Sequence, residues 1–212
     1  MKKLRLFMLF SVLLLASVEI FATAQIPNKI IYKGKEYQVG SDPMEGYFKK
    51  FPEKKPQSEV RLSALWRGYI ATFELNDNAL FLKDIVIVIQ EKGSTSFGTK
   101  SVLSEVVPSN KKLKIDWFRR LLLLPHGEII EDDYAGYETK YENYILLEID
   151  AGNLMKTKEF DYKQFEDFSK RQYEAFKKTE DYKELTKDDK DGSFDSYLRK
   201  NITSYTSKIL VD

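Results

Sequence analysis

The chemistry open to this chain is bounded first by its single histidine, His126 in a Pro-His-Gly step, and by its lack of cysteine. Thiol nucleophiles and multi-histidine metal centres are excluded on those counts. A serine–histidine–acid triad would have to use His126, and no serine sits in the Gly-x-Ser-x-Gly turn that exposes a nucleophile. His126 is therefore read as a turn residue. Residues 188–192 (DDKDG) suggest a calcium loop until the register is tried. With Asp191 and Gly192 at the fifth and sixth positions, Lys187 and Leu198 fall where oxygen ligands are required. The stretch reads as a solvated charge run. Glu128, Glu131, Asp132 and Asp133 form an acidic cluster that could supply the two carboxylates glycosidic hydrolysis needs, although spacing along the chain says nothing of their separation in space.

The better candidates pair aromatic rings with arginine. Trp66-Arg67 and Trp117-Phe118-Arg119-Arg120 bring together the residue types favoured at binding hot spots. Arginine stacked on tryptophan can recognise a carboxylate, or the indole can offer an apolar platform to a sugar ring. The competing reading packs both tryptophans into the core, with the arginines capping strand or helix ends. A second candidate is the loop at 132–144, where Tyr134, Tyr137, Tyr141 and Tyr144 surround Gly136, since loop tyrosines make adaptable contacts. The candidate ligand-binding residues are thus Trp66, Arg67, Trp117, Arg119, Tyr134 and Tyr137. No catalytic residue, metal ligand or cofactor is assigned.

These residues need elements to position them. Residues 63–89 are the organising stretch, two strands joined by an Asn-Asp-Asn turn. Leu65, Tyr69, Ala71, Phe73 and Leu75 alternate on one face, in register with Arg67. Residues 85–89 are apolar on both faces, as in a central strand. A hairpin is expected at 29–39 around Lys33-Gly34, and a short aromatic helix at 44–51 between prolines. The lysines of this connector, Lys49, Lys50, Lys54 and Lys55, read as a solvated face and not as a phosphate site. Residues 102–107 suggest a further strand. Residues 116–124 (DWFRRLLLL) are too continuously apolar for periodicity to decide and are assigned to a short helix, with Asp116 as N-cap and Pro125 and Gly127 as stop. Strand returns at 144–149, where Glu148, Ile149 and Leu154 repeat the spacing of Glu74, Leu75 and Leu80 across another polar turn.

Residues 161–185 are the clearest helix. Asp161 and Gln164 form a capping box, and Phe165, Phe168, Gln172 and Phe176 line one face. Opposite-charge pairs four apart cover the other face. Together these predict an α+β fold, a mostly antiparallel sheet of hairpins with one long amphipathic helix in the C-terminal half packed on it. A charged segment near 186–193 precedes a tail that suits a helix or an edge strand.

Residues 1–24 read as a secretory signal peptide, with Lys2, Lys3 and Arg5 ahead of an apolar run at 6–18 and Ala22-Thr23-Ala24 at the cleavage point. Glu19 stops that run short of the roughly 20 apolar residues a spanning helix needs, which favours a cleaved peptide over the competing reading, an uncleaved N-terminal anchor. Removing Lys2, Lys3, Arg5 and Glu19 leaves 31 basic and 32 acidic side chains. Such a balance argues against a nucleic-acid partner. Export without cysteine fits a bacterial periplasm or exterior, with residues 25–212 as one domain and no membrane span after cleavage.

The strings LWRGYIATFEL, LFLKDI and YILLEI resemble uncharacterised bacterial exported proteins that carry a W-R-G-Y-x-A-T-F-E strand. That resemblance implies a fold and carries over no activity and no catalytic residue. The expected function is that of an exported, non-enzymatic protein that binds a protein partner. The alternatives are a carbohydrate-binding or carbohydrate-active protein, with Trp66 or Trp117 as platform and Glu128 and Asp132 as acids, and an inhibitor or toxin-neutralising protein.

Overall fold

A computed structural model describes residues 25–91, 93–94, 96–108, 111–132 and 139–212. Residues 1–24, read from the sequence as a signal peptide, and Tyr134 and Tyr137 lie outside the described residues. Among the described residues nine strands form one sheet: β1 (Asn28–Tyr32), β2 (Lys35–Val39), β3 (Ile70–Asn76), β4 (Ala79–Gln90), β5 (Phe97–Ser101), β6 (Leu113–Lys114), β7 (Arg120–Glu131), β8 (Lys140–Asp150) and β9 (Asn153–Asp161). The main path runs β2-β1-β3-β4-β9-β8-β7, with β5 and β6 both paired to β4. Described pairs are antiparallel except β1 with β3. Antiparallel neighbours can turn back through tight hairpins, whereas the parallel β1–β3 pair requires a long return crossing. Residues 40–69 make that crossing, and they carry α1 (Glu45–Lys50).

The sheet curls until its two end strands lie side by side, with Tyr37 of β2 meeting His126 of β7 edge-on at 5.7 Å. The concave side holds the larger core, where Ile30, Tyr69, Phe73, Leu80, Ile85 and Leu122 are fully buried. Helix α3 (Tyr162–Phe176) covers the convex side of β7–β9, where Leu121, Leu146 and Phe168 pack with Ile209 of the C-terminal segment. Burial of each such side chain contributes about 2 kcal/mol. The mixed α+β architecture with a helix on a largely antiparallel sheet is therefore as the sequence predicts.

Two hairpins meet at the centre. Asp77 and Asn78 take positive φ (49° and 59°), as do Ala151 and Gly152 (48° and 70°). Such paired left-handed residues make the two-residue turns that match strand twist. The turns then dock on one another reciprocally. Leu80 N–H donates to the Gly152 carbonyl and Leu154 N–H to the Asn78 carbonyl, both at 2.8 Å. The repeated spacing read in the sequence thus corresponds to a local twofold arrangement at the β4–β9 junction.

Several assignments are corrected. Residues 63–65 form a 3-10 turn, and β3 begins only at Ile70, because Gly68 adopts φ +84°, outside the extended region. Residues expected as a strand at 102–107 form α2 (Leu103–Val106); Val102, Val106 and Val107 are buried at helical spacing, leaving Ser104 and Glu105 exposed. Of the helix assigned to 116–124, residues 116–119 are a turn and its exit, and residues 120–124 are the start of β7, whose leucines alternate between the two cores, so a continuous apolar run reflects burial on both faces. Pro125 is tolerated because β7 ends the hydrogen-bonded path, and Gly127 (φ +85°) sits at a bulge. Tyr141 and Tyr144 belong to β8 and not to a loop.

The long helix ends at Phe176 and is followed by α4 (Glu180–Thr186), capped by Thr179. The capping box of Asp161 and Gln164 is present. The tail folds as α5 (Ser193–Lys200) and α6 (Ile202–Tyr205) before running back over α3. Among the described residues no helix is long and apolar enough to cross a membrane.

Gln172 holds that returning tail. Fully buried, it donates to Thr206 Oγ1 (3.2 Å) and the Lys208 carbonyl (2.7 Å) and accepts from Leu210 N–H (2.9 Å). Gln172→Ala should cost about 2–3 kcal/mol, because buried partners lose their hydrogen bonds. Chemical denaturation would measure it; a loss below about 0.5 kcal/mol would show that the tail contributes little to the fold.

Candidate functional site

A cleft of about 550 Å³ opens where the loop after β2 faces the segment that leads into β7. One wall is residues 40–46, including Asp42, Pro43 and Glu45. The other is residues 117–120, including Trp117 and the two arginines, with Ser204 of α6 at the side. A cavity of this size suits a small ligand or the end of a chain. The walls meet because β2 and β7 are the two ends of a sheet that curls round on itself.

The acidic wall is fastened from behind. Asn28, 1% exposed, donates to the Ser41 carbonyl and to Asp42 Oδ1, both at 2.9 Å, and accepts from Ala71 N–H at 2.9 Å. Arg67, 3% exposed, pairs with Asp42 at 3.2 Å and donates to the carbonyls of Tyr69 (2.8 Å) and Ile26. Burial raises the Asp42 carboxyl above its ordinary range, and Arg67 and Asn28 pull it partly back. Glu45 accepts from Tyr69 Oη at 2.8 Å and from Lys55 Nζ at 2.9 Å on each carboxylate oxygen. Burial, then the hydrogen bond to Glu45, pushes the Tyr69 phenol far above its usual value. Lys55, read from the sequence as part of a solvated face, is thus a partner in this network.

The aromatic wall depends on a glycine. Trp117 is half-buried, donates from Nε1 to the Pro43 carbonyl at 2.7 Å, and lies 5.3 Å from the Tyr47 ring. Its Cδ1 would be 2.7 Å from a Cβ added at Gly46, so only glycine admits the indole there. Arg119 pairs with Asp150 on the surface. Arg120 donates to the Ser204 carbonyl at 3.0 Å.

Of the residues singled out in the sequence, Trp117 and Arg119 reach the cleft. Arg67 stands behind it, buried and occupied with structural acceptors. Trp66 is 65% exposed and does not line the cleft, though Lys55 Nζ lies 5.9 Å from its ring and connects it to Glu45. Glu128 and Asp132 lie toward the far end of β7. At about 3.3 Å per residue, Glu128 is roughly 25 Å from Arg120, so it cannot act beside Trp117. At that end of β7 the register with β8 is irregular, and Ile129 and Ile130 are both more than half exposed. Asp42 and Glu45 were missed, for their only sequence signal was a proline-rich connector.

Comparison of the chain with protein-family models, curated proteins and solved structures finds no match in any of the three.

Two measurements check this geometry. In a Trp66→Phe background, where Trp117 is the remaining tryptophan, Gly46→Ala should move fluorescence emission to longer wavelength as the indole is pushed into water. Unchanged emission would mean the indole is not seated on Gly46. The second concerns Asp42, whose raised pKa means that the folded state binds its proton more tightly than the unfolded chain does. Its contribution is then fully present below the unfolded value of 3.8 and is lost as pH rises through the folded value. Wild-type stability relative to Asp42→Asn should fall over that window and then level. A difference independent of pH would contradict it.

Proposed function

We propose that this chain is an exported, non-enzymatic binding protein that seats a small polar ligand, or the end of a partner's chain, between residues 40–46 and Trp117–Arg120. The observation that carries this reading is the convergence of Trp117, Arg119 and Arg120 on one cleft whose opposite wall is rigidly held. Asp42 and Glu45 are each tied by side-chain donors. Carboxylates held in this way present fixed charge and hydrogen-bonding capacity, which favours recognition over proton transfer. A preordered wall also lowers the entropic cost of binding. Secretion through residues 1–24 supports an envelope or extracellular ligand.

The exposure of Trp66 favours a second reading, in which the ligand is a glycan laid across that indole, since an exposed tryptophan face is a ready platform for a sugar ring. The two readings differ in which tryptophan matters.

A thermal-shift screen of the protein beginning at Gln25, against neutral glycans, peptidoglycan fragments, short peptides and divalent cations, separates them. A ligand at 100 times its dissociation constant should stabilise by about 2.7 kcal/mol, raising Tm by roughly 5–10 °C. Under the first reading Trp117→Phe and Arg119→Ala reduce that shift and Trp66→Ala leaves it unchanged. A shift lost only in Trp66→Ala supports the glycan platform. A shift that survives all three substitutions places the ligand elsewhere and removes the cleft from consideration.

A further inference from the structure

Around the cleft, acids and cations match off one by one. Asp42 has Arg67 at 3.2 Å, Glu45 has Lys55 at 2.9 Å, and Asp150 has Arg119. Among the described residues that line the cleft, one charged side chain has no such match. Arg120 lines the cleft and has no carboxylate partner among the described residues. Its Nη1 donates to the Ser204 carbonyl at 3.0 Å, which orients the guanidinium and leaves the rest of its fork without a protein acceptor among the described residues.

We propose that the cleft takes a ligand bearing a single carboxylate, gripped by the Arg120 fork; this rests on the cleft being the ligand site. The planar guanidinium presents paired N–H donors at the spacing of two carboxylate oxygens, and charge-assisted bonds of that kind are the strong ones. Charge number decides between anions. One spare positive charge balances a monoanion. A phosphate carrying close to two charges would leave the excess facing Asp42 and Glu45 across the cleft. Trp117 supplies the apolar surface for the carbon body of the ligand, on the same wall as Arg120. The acidic wall offers acceptors to hydroxyl or amide N–H groups of that body. Sugar acids and peptide chain ends both carry this combination of one carboxylate with neutral donors.

Isothermal titration with N-acetylated amino acids and with uronic acids, each beside its methyl ester, and with inorganic phosphate, tests the proposal on the protein beginning at Gln25. At least one free acid should bind, with its ester and phosphate each at least tenfold weaker. Arg120→Gln should weaken the acid at least tenfold while leaving Tm near wild type, since this arginine is exposed. Arg120→Lys, which keeps the charge and loses the fork, should fall between the two. The acid series that binds tells a sugar acid from a peptide end. Equal binding of acid and ester, lost in Trp117→Phe, overturns the carboxylate while the cleft remains the site. Failure of every free acid to bind, tighter binding of phosphate, or an acid unaffected by Arg120→Gln also overturns it.

Discussion

A guanidinium removed from water needs a negative charge beside it and acceptors for its N–H groups, and Arg67 finds these in three separate stretches of chain. The Ile26 carbonyl precedes β1, the Tyr69 carbonyl leads into β3, and the Asp42 carboxylate stands in the loop that follows β2. Asn28 ties the same places, joining β1 to Ala71 on one side and to Ser41 and Asp42 on the other. Two buried polar side chains thereby hold the parallel β1–β3 pair and one wall of the cleft as a single unit. The long crossing between β2 and β3 would otherwise be a surface connector with little to order it.

The opposite wall is placed by packing on both faces of β7. Leu121 enters the core beneath α3 and Leu122 the core inside the curled sheet. A slip of one residue would exchange the two sets, so register is strongly specified, and the positions of Arg119 and Arg120 follow from it. Leu121 N–H also donates to the Thr206 carbonyl at 3.4 Å, which brings Ser204 to the side of the cleft. The curl of the sheet does the rest. It lays β2 along β7, covering both ends of the path, and carries the loop after β2 over to the start of β7.

Local signals were legible where the deciding physics is local. The Asp161–Gln164 capping box, the left-handed turn at Lys33-Gly34, and the alternation of Tyr69, Ala71 and Phe73 rest on neighbouring residues and are present as expected. Reading failed where a partner far along the chain decides. Residues 120–124 are a strand because β8 pairs with them and apolar layers cover both faces, and a run of leucines looks the same in a buried helix. The site divides in the same way. Trp117 and Arg119 were visible as residue types suited to binding. Arg67 was visible for the same reason and is instead a buried support, since composition cannot tell a guanidinium that meets a ligand from one that meets carbonyls.

By itself, then, the sequence determined the α+β class, the hairpins and the principal helix, because periodicity, turn residues and caps act over a few residues. It also limited the chemistry, through one histidine and no cysteine. Only the tertiary structure decided that Asp42 and Glu45 would face Trp117 and Arg120, more than 70 residues away along the chain. That juxtaposition depends on the curl of the sheet and on the burial of Arg67, and both arise from contacts between segments that carry no mark of one another in the sequence.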